Sequence, residues 1–394
     1  MPRTPATIAR NVEAMEISVI KAMAMRAAAT PGAVSLAWGV PSFATPPPIR
    51  AAVAAALEAD PTIGRYTLPD GLPELRRLAA GRHRLDTGID VDPDSQLVVT
   101  AGNMQGMSVL LHVLLDPGDE VVVTDPGFAS HVQQVRLCGA VPRYWKLDEA
   151  AGWTLDLAAL EDLLTPRTRA VIIVSPSNPT GRIFDRDSLL GLARIARERG
   201  FVVIVDDPYS RFVYDGAACF NLASAAEFAD HLVYLCTFSK AYAMSGWRLG
   251  YLVAPPALKG EILKVHDANL ICAPHVSQAA GIAALAMDPQ PWPEFARLLE
   301  ARRALICERL DRVPQVFAYQ RPQGAYYVFP RIVAAHTDSR SFAIELLERV
   351  GVSVTPGSGF GPAGEGHVRM AYCVEEDTIN QAFDRIEAHY GRET

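Results

Sequence analysis

Residues 237–248 read TFSKAYAMSGWR and lie between two apolar runs, 232–236 and 249–253. Lys240 is an unusual residue to place between two predicted strands, because burying an unpaired ammonium is costly. The cost is avoided when the amine forms a Schiff base, and a desolvated lysine is a good nucleophile for that reaction. The segment therefore predicts a covalent site built on Lys240.

Phosphate-binding side chains flank this lysine. Thr237 and Ser239 supply hydroxyl donors, and Arg248 supplies a fork of charged N–H groups. A reactive lysine beside such donors indicates pyridoxal 5'-phosphate (PLP) as the cofactor. The alternative at this point is a surface lysine in a serine-rich loop.

Composition narrows the functional class. A length of 394 residues predicts one large domain and a smaller one. The net charge of −7 argues against a surface that binds nucleic acid or an anionic membrane. No apolar run approaches the roughly 18 residues of a transmembrane helix, and residues 1–10 contain no apolar segment of a signal peptide. The six cysteines are far apart and no His-Glu-x-x-His motif occurs, which predicts free thiols in a reducing cytoplasm and no metal site.

Short apolar strands alternate with helices from residue 96 to residue 253. This pattern predicts an α/β fold, in which a large domain has a mainly parallel sheet wrapped by helices and a smaller α+β domain follows. The predicted division is an N-terminal arm with part of the small domain (1–40), a large PLP-binding domain (41–288) and a small C-terminal domain (289–394). The Met- and Ala-rich arm is expected to pack either on a partner subunit or on its own chain.

Five residues with functional side chains or backbone follow the predicted strand ends: Gly102, Phe128, Asn178, Asp206 and Tyr209. Ligands in open α/β sheets bind at that edge, outside the carboxyl ends of the strands. The junction at Gly102 leads into a helix whose N-terminus favours an anion, although most such junctions are ordinary turns.

Two features of the sequence allow more than one interpretation, an adjacent pair of aspartates and a glycine-rich segment. Asp206 and the adjacent Asp207 are both candidates to cap the turn, and the three-residue spacing to Tyr209 favours Asp206 as the functional one. Residues 359–364 read GFGPAG and match the G-x-G-x-x-G pattern, but a strand and not a helix is predicted after them. The dinucleotide fingerprint therefore fails, and the segment is predicted to be a loop.

The chain resembles the fold-type I PLP enzymes of the class I/II aminotransferase family (aspartate aminotransferase-like) over nearly its whole length. The matching pieces occur in order: Gly39-Val40-Pro41, Tyr66 before Gly71, Gly102 with its helix, Asp125-Pro126-Gly127-Phe128, Ser177-Asn178-Pro179-Thr180-Gly181, Asp206 with Tyr209, Ser239-Lys240 with Arg248, and Arg369. Many ordered matches are specific for the family but not for the substrate.

The resemblance implies a role for each matching residue. Lys240 would hold PLP and move the proton at the substrate Cα, and Asp206 would pair with the pyridine nitrogen. The remaining roles are hydrogen bonds to the phenolic oxygen (Tyr209, Asn178), ring stacking (Phe128), phosphate binding (Gly102, Asn103, Met104, Thr237, Ser239, Arg248), phosphate binding in the neighbouring subunit (Tyr66) and substrate binding (Trp38, Gly39, Asn178, Arg369).

The implied activity is transfer of the amino group of an L-amino acid to a 2-oxo acid by a homodimer with shared active sites. Residues 271–276 lack the Ser/Thr pair common in relatives, and His275 there is either a modifier of substrate choice or an exposed loop residue. No cation can be assigned from the sequence to a substrate side-chain carboxylate.

Three other functions remain open alternatives. The first is a related PLP enzyme with a different outcome, such as elimination, decarboxylation or oxygen-dependent oxidation, because the same residues serve those reactions. The second is a PLP-binding transcription regulator, which needs a DNA-binding module for which the roughly 30 residues before Ala33 leave no room. The third is a nicotinamide-dependent oxidoreductase, against which the failed glycine pattern counts.

Overall fold

A computed structural model describes residues 8–13, 15, 17–336 and 338–391. The N-terminal arm predicted over residues 1–30 is therefore described only in part, because residues 1–7, 14 and 16 lie outside the described residues. Within it, two helices form, and the longer one, Val19–Ala29, leaves Met25 67% exposed.

The helices are α1 Arg10–Glu13, α2 Val19–Ala29, α3 Pro47–Ala59, α4 Pro73–Thr87, α5 Asn103–Leu114, α6 Ala129–Leu137, α7 Leu157–Leu163, α8 Arg186–Arg199, α9 Pro256–Leu270, α10 His275–Ala286, α11 Trp292–Asp311, α12 Ser339–Glu345 and α13 Glu376–Tyr390. Short 3₁₀ turns occur at Leu222–Ser224, Ala226–His231, Ser245–Trp247, Gly357–Phe360 and Pro362–Gly364, and a π-helical turn at Leu346–Val350. None of the helices in this described part has the length and apolar character needed to cross a membrane.

The strands are β1 Val34–Ser35, β2 Leu97–Thr100, β3 Glu120–Asp125, β4 Val141–Lys146, β5 Thr168–Ile173, β6 Val202–Asp207, β7 Leu232–Thr237, β8 Gly250–Val253, β9 Phe317–Ala318, β10 Tyr327–Val328, β11 Arg331–Ile332, β12 Val352–Ser353, β13 Thr355–Pro356 and β14 Val368–Ala371.

Seven strands form the central sheet in the order β2-β8-β7-β6-β5-β3-β4. Only β8 runs antiparallel to its neighbours, β2 and β7, so that the other six strands point in one direction. The prediction of a mainly parallel sheet wrapped by helices is thereby confirmed. The carboxyl ends of six strands lie along one edge.

Side-chain alternation explains why this sheet is buried on both faces. In β3, Val121 and Val123 pack into one apolar cluster, while Val122 packs into the cluster on the opposite face. In β6, Ile204 packs into the same cluster as Val121 and Val123, and Val203 packs into the cluster that contains Val122. Successive side chains of a strand point to opposite faces, so an uninterrupted apolar strand must be covered on both sides, and helices cover it here.

A third apolar cluster gathers the C-terminal part of the chain with the N-terminal segment. Strand β1 pairs in parallel with β12, and β14 lies between β10 and β13. This arrangement brings residues 34–39 beside Arg369 on β14. The domain boundaries at residues 41 and 289 stay a prediction.

Two local features differ from the sequence-based expectations. Helix α9 was not predicted, because its buried residues include the polar Lys259 and His266 beside Ile262 and do not form an apolar stripe. The sequence pattern also predicts a helix over 341–349 in the C-terminal domain. In the structure this helix begins at Ser339 and ends in the π-helical turn. Residues 359–364 fall in 3₁₀ turns before β14, so the loop prediction there is confirmed.

Candidate active site

A cavity of about 280 Å³ opens at the carboxyl edge of the central sheet. Thirteen of the predicted site residues line it: Trp38, Gly39, Asn103, Met104, Phe128, Asn178, Asp206, Tyr209, Thr237, Ser239, Lys240, Arg248 and Arg369. They come from seven separate segments of the chain. The sheet therefore brings together side chains that are distant in sequence.

Lys240 follows the last residues of β7, and its amine points into the cavity. The Nζ donates a hydrogen bond to the Gly39 carbonyl oxygen at 3.0 Å. The Lys240 side chain is largely enclosed by the protein and lines the cavity. This burial lowers the pKa of the Lys240 amine to about 8, and the nearby cations Arg369 and Arg248 act in the same direction.

Asp206 and Asp207 point to opposite faces of β6 and have different surroundings. The Asp206 carboxylate lines the cavity, where it accepts a hydrogen bond from Asn103 Nδ2 at 2.6 Å and lies 3.0 Å from His131 Nε2. Asp207 instead accepts from the Ser210 backbone N–H at 3.0 Å and from the Tyr234 hydroxyl at 2.7 Å. Asp207 is thus the residue that caps the turn, while Asp206 lines the cavity, held there by Asn103 and His131.

An anion site lies beside Asp206, where β2 runs into α5. Gly102 is the N-cap of α5 with φ of 80°, a conformation that glycine adopts without strain. A Cβ placed there would lie 2.7 Å from Arg248 Nη2, so a larger residue would displace the end of this flexible side chain in addition to straining the backbone. The first N–H groups of a helix have no intrahelical partner, and with Arg248, Thr237 and Ser239 they form a donor set for a dianion.

Arg369, on β14, is buried and also lines the cavity. Its Nη1 donates to Asn178 Oδ1 at 3.0 Å, and its Nη2 donates to the Ala37 carbonyl oxygen at 2.6 Å. The guanidinium also lies 4.4 Å above the ring centroid of Tyr327. Within the described residues no carboxylate pairs with Arg369, and its Nε has no hydrogen-bond partner. A buried guanidinium in this state favours an anionic ligand over a structural ion pair.

Tyr209 is held in a buried aromatic group beside this arginine. Its hydroxyl lies 3.0 Å from the hydroxyl of Tyr327, and its ring meets those of Tyr326 and Tyr327 edge to face. Burial, reinforced by the neighbouring Tyr327, raises the pKa of Tyr209 well above its usual range. The hydroxyl therefore stays protonated and can donate a hydrogen bond.

Three residues singled out from the sequence do not line the cavity of their own chain. Gly102 lies directly behind it as the N-cap described above. Tyr66 is 77% exposed in the loop before α4. His275 is the half-buried first residue of α10, so the expectation of an exposed loop histidine is wrong.

Sequence reasoning missed several residues that the fold brings to this site. His131 is 4% exposed on α6 and contacts Asp206, but its spacing from Phe128 carries no recognisable signal. Tyr327 reaches the cavity from β10, and Lys21 reaches it from α2. Both depend on long-range packing between distant segments, which no local pattern encodes.

Comparison with known proteins supports the same conclusion as the geometry. The family model described as aminotransferase class I and II matches residues 31–386. Aromatic-amino-acid aminotransferase 2 of Thermococcus litoralis is 35% identical over 361 residues, covering 90% of this chain and 91% of that protein. Aspartate aminotransferase of Pyrococcus horikoshii is 33% identical over 383 residues, covering 96% of each.

The fold has equally close counterparts among solved structures. Aspartate aminotransferase from Thermus thermophilus with maleate superimposes with a TM-score of 0.90 at 31% identity, covering 97% of this chain and 99% of that one. The fold-type I architecture and the aminotransferase function predicted from the sequence are confirmed by these similarities. The chain belongs to the class I and II aminotransferase family.

Proposed function

We propose that this enzyme uses PLP to move the amino group of an L-amino acid to a 2-oxo acid in two successive half-reactions. The observation that carries the proposal is the meeting of Lys240, Asp206 and Arg369 in one cavity. The Lys240 amine, whose pKa is lowered, provides a nucleophile. The buried Asp206 carboxylate provides a partner for a ring cation. The Arg369 guanidinium, which pairs with no carboxylate among the described residues, provides a binding site for a substrate carboxylate.

The residues present fit PLP in charge and in hydrogen-bonding capacity. The anion site at Gly102 and Arg248 suits the phosphate, because it combines the N-terminus of α5 with a guanidinium and the hydroxyls of Thr237 and Ser239. Asp206, held by Asn103 and His131, would pair with the pyridine nitrogen and keep it protonated. Tyr209 and Asn178 would reach the phenolic oxygen, and Phe128 would lie against the ring.

PLP, when bound, supplies an aldehyde that bonds to amines and a conjugated ring that takes up the electron pair left at Cα. Lys240 would hold the cofactor through its amine. Once a substrate amine occupies that place, the free Nζ would accept the proton from Cα and pass it to the cofactor carbon that carried the aldehyde. A pKa near 8 suits both tasks, because the neutral amine is available near neutral pH. In the second half-reaction the same amine would move a proton in the opposite direction, from that cofactor carbon to Cα of the new amino acid.

Arg369 binds and orients the substrate α-carboxylate through its fork of N–H groups. Asn178 holds this guanidinium at 3.0 Å, and the ring of Tyr327 supports its face. Fixing the carboxylate fixes the orientation of the bonds at Cα, so the C–H bond and not another bond is presented to Lys240. Trp38 and Gly39 complete the wall on the β1 side of the cavity.

We further propose a homodimer in which Tyr66 binds the phosphate in the partner's site. The support is that Tyr66 is exposed and lies outside the cavity of its own chain, while its loop is fixed in place. Gln278 donates to Thr67 Oγ1 at 2.9 Å and accepts from the Leu72 N–H at 2.7 Å. A cytoplasmic location is proposed from the separated cysteines of the sequence.

The pH dependence of PLP uptake should follow the Lys240 amine. The neutral form attacks the aldehyde, and burial holds its pKa near 8 instead of the usual value of about 10.4. We expect the rate of PLP capture by cofactor-free protein to rise about tenfold per pH unit below pH 8 and to level off above it. A stopped-flow absorbance series measures this profile, and a rate that still rises to pH 10 would contradict it.

Replacement of Arg369 by glutamine should lower kcat/KM for amino acids by about 100-fold. The loss corresponds to about 3 kcal/mol for a charge-assisted interaction with the carboxylate. Absorbance of the bound cofactor should be unchanged, because Arg369 is placed on the substrate side. Arg309→Gln is the control, since this buried arginine pairs with Asp384 and Glu387 and should affect only thermal stability.

A single half-reaction tests the proposal. PLP-loaded enzyme is mixed with one amino acid at a time, without an oxo-acid acceptor. Release of one equivalent of 2-oxo acid per site, with the nitrogen retained by the protein, is the expected result. Ammonia or hydrogen peroxide in place of retained nitrogen would show a diverted reaction, and no oxo acid from any donor would contradict amino transfer.

A further inference from the structure

A second tyrosine hydroxyl lies beside the one assigned to the cofactor. Tyr327, on β10, lines the cavity next to Tyr209, and the oxygen atoms of the two hydroxyls are 3.0 Å apart. Both side chains are buried. In the proposed reaction Tyr209 binds the phenolic oxygen of PLP, whereas the hydroxyl of Tyr327 has no assigned role.

The surroundings of Tyr327 fix the position of its hydroxyl. A Cβ on Gly39 would lie 2.1 Å from the Tyr327 hydroxyl oxygen and within 2.8 Å of two of its ring atoms. The Arg369 guanidinium lies 4.4 Å from the ring centroid, and the ring meets that of Tyr209 edge to face. A buried ring with such close neighbours has one well-defined orientation, which keeps its hydroxyl within hydrogen-bond distance of Tyr209.

The direction of the hydrogen bond between the two tyrosines follows from their protons. Burial raises the pKa of Tyr209 and of Tyr327 above the usual value, so that each hydroxyl keeps its single proton. A hydroxyl donates one hydrogen bond and accepts two. When Tyr209 directs its proton to the phenolic oxygen of PLP, its lone pairs are left for Tyr327. The contact is then a hydrogen bond that Tyr327 donates to Tyr209.

We propose that Tyr327 is a positioning residue, whose hydroxyl donates to Tyr209 and thereby strengthens the hydrogen bond of Tyr209 to the cofactor. Hydrogen bonds in a chain polarise one another, by about 10–30% per bond. A donor at the phenolic oxygen stabilises the deprotonated, more negative form of the bound cofactor and so lowers the pKa of its titration. The inference rests on the proposed function, because it takes Tyr209 as the donor to the cofactor.

A pH titration of the absorbance of PLP-loaded enzyme, without substrate, tests the inference without turnover. Tyr209→Phe should raise the pKa of the bound cofactor by about one to two units, because it removes a hydrogen bond to a charged group. Tyr327→Phe should raise it by about 0.2–0.5 unit, the share that a neighbouring hydrogen bond contributes. In the double variant the loss of the Tyr327 hydroxyl should add nothing, since it acts through Tyr209.

A second substitution keeps the tyrosine ring in place and reverses the expected sign. 3-Fluorotyrosine, incorporated at position 327, is a more acidic phenol than tyrosine and therefore a stronger hydrogen-bond donor. It should lower the pKa of the bound cofactor, whereas Tyr327→Phe raises it. A role of Tyr327 in packing alone would not give shifts of opposite sign.

Tyr214→Phe is the matched control. Tyr214 is a buried tyrosine of the same apolar cluster, and its hydroxyl donates to the Ala325 carbonyl oxygen. It does not line the active-site cavity. Loss of this hydroxyl should lower the melting temperature and leave the titration of the cofactor unchanged.

An unchanged pKa of the cofactor in Tyr327→Phe would overturn the inference, as would an equal shift in the presence and in the absence of the Tyr209 hydroxyl. An unchanged or raised pKa with 3-fluorotyrosine would also overturn it. Each of these outcomes leaves amino transfer intact, because the wild-type enzyme would still release oxo acid. Failure of the proposed function looks different: no donor releases oxo acid from the wild-type enzyme.

Discussion

Replacement of Lys240 by alanine is expected to lower kcat for amino transfer by at least about 10⁴-fold, the upper range for loss of a positioned acid–base group. The variant loses both the amine that holds PLP and the base that moves the Cα proton. PLP should still bind, more weakly, because the anion site at Gly102 and Arg248 is retained. Steady-state kinetics and cofactor absorbance of the dialysed protein measure the two effects separately.

Small primary amines give this prediction a specific control. If Lys240 acts as a base at Cα, added methylamine should restore part of the activity of the alanine variant in proportion to the concentration of its neutral form. Lys264→Ala is the matched variant, since Lys264 lies on the surface of α9 paired with Glu261 and should leave kcat unchanged. Full activity of Lys240→Ala in the absence of amine would contradict the assignment.

Replacement of Asp206 by asparagine is expected to lower kcat by about a hundred- to a few thousandfold. Breaking a buried ion pair by neutralising one partner costs about 3–5 kcal/mol, and each 1.36 kcal/mol corresponds to a factor of ten in rate. The isosteric amide keeps the shape of the site but cannot hold the pyridine nitrogen protonated. Cofactor absorbance should shift at the same time, because the ring protonation state changes.

Asp207→Asn separates a local structural effect from a chemical one. Asp207 is the next residue and is equally buried, but its carboxylate serves Ser210 and Tyr234 on the other face of β6. This variant should lose thermal stability and keep kcat within severalfold of the wild type. Comparable losses of kcat in the two variants, with no change in cofactor absorbance, would contradict the role given to Asp206.

The sheet was predictable from sequence because most of its inner strands are apolar runs. In 201–205, for example, four residues are buried and Val202 is half-buried. The same regularity places Gly102, Asn178 and Asp206 at one edge, since each lies at or after the carboxyl end of a strand of the same direction. Most of the site residues can thus be predicted from local sequence patterns, because they follow from the succession of strands along the chain.

The parts of the fold and of the site that could not be predicted depend on contacts between distant segments, which the sequence does not display. Helix α9 buries Lys259, which pairs with Asp70, so its inner face does not look apolar. Tyr327 and Lys21 enter the cavity only because the C-terminal strands and α2 fold back against the central sheet. His131 is brought to Asp206 by the packing of α6. Such long-range packing is set by tertiary structure and leaves no periodic signal.

Reduction of the PLP-loaded protein with borohydride, followed by peptide mapping, tests most directly whether Lys240 is the residue that bonds covalently to the cofactor. Borohydride converts the Schiff base to a stable secondary amine, and the modified lysine is then identified by mass spectrometry. The predicted result is a single pyridoxyl-modified peptide in which Lys240 carries the modification. Modification of another lysine with Lys240 unmodified, or no modification at all, would contradict the proposed site.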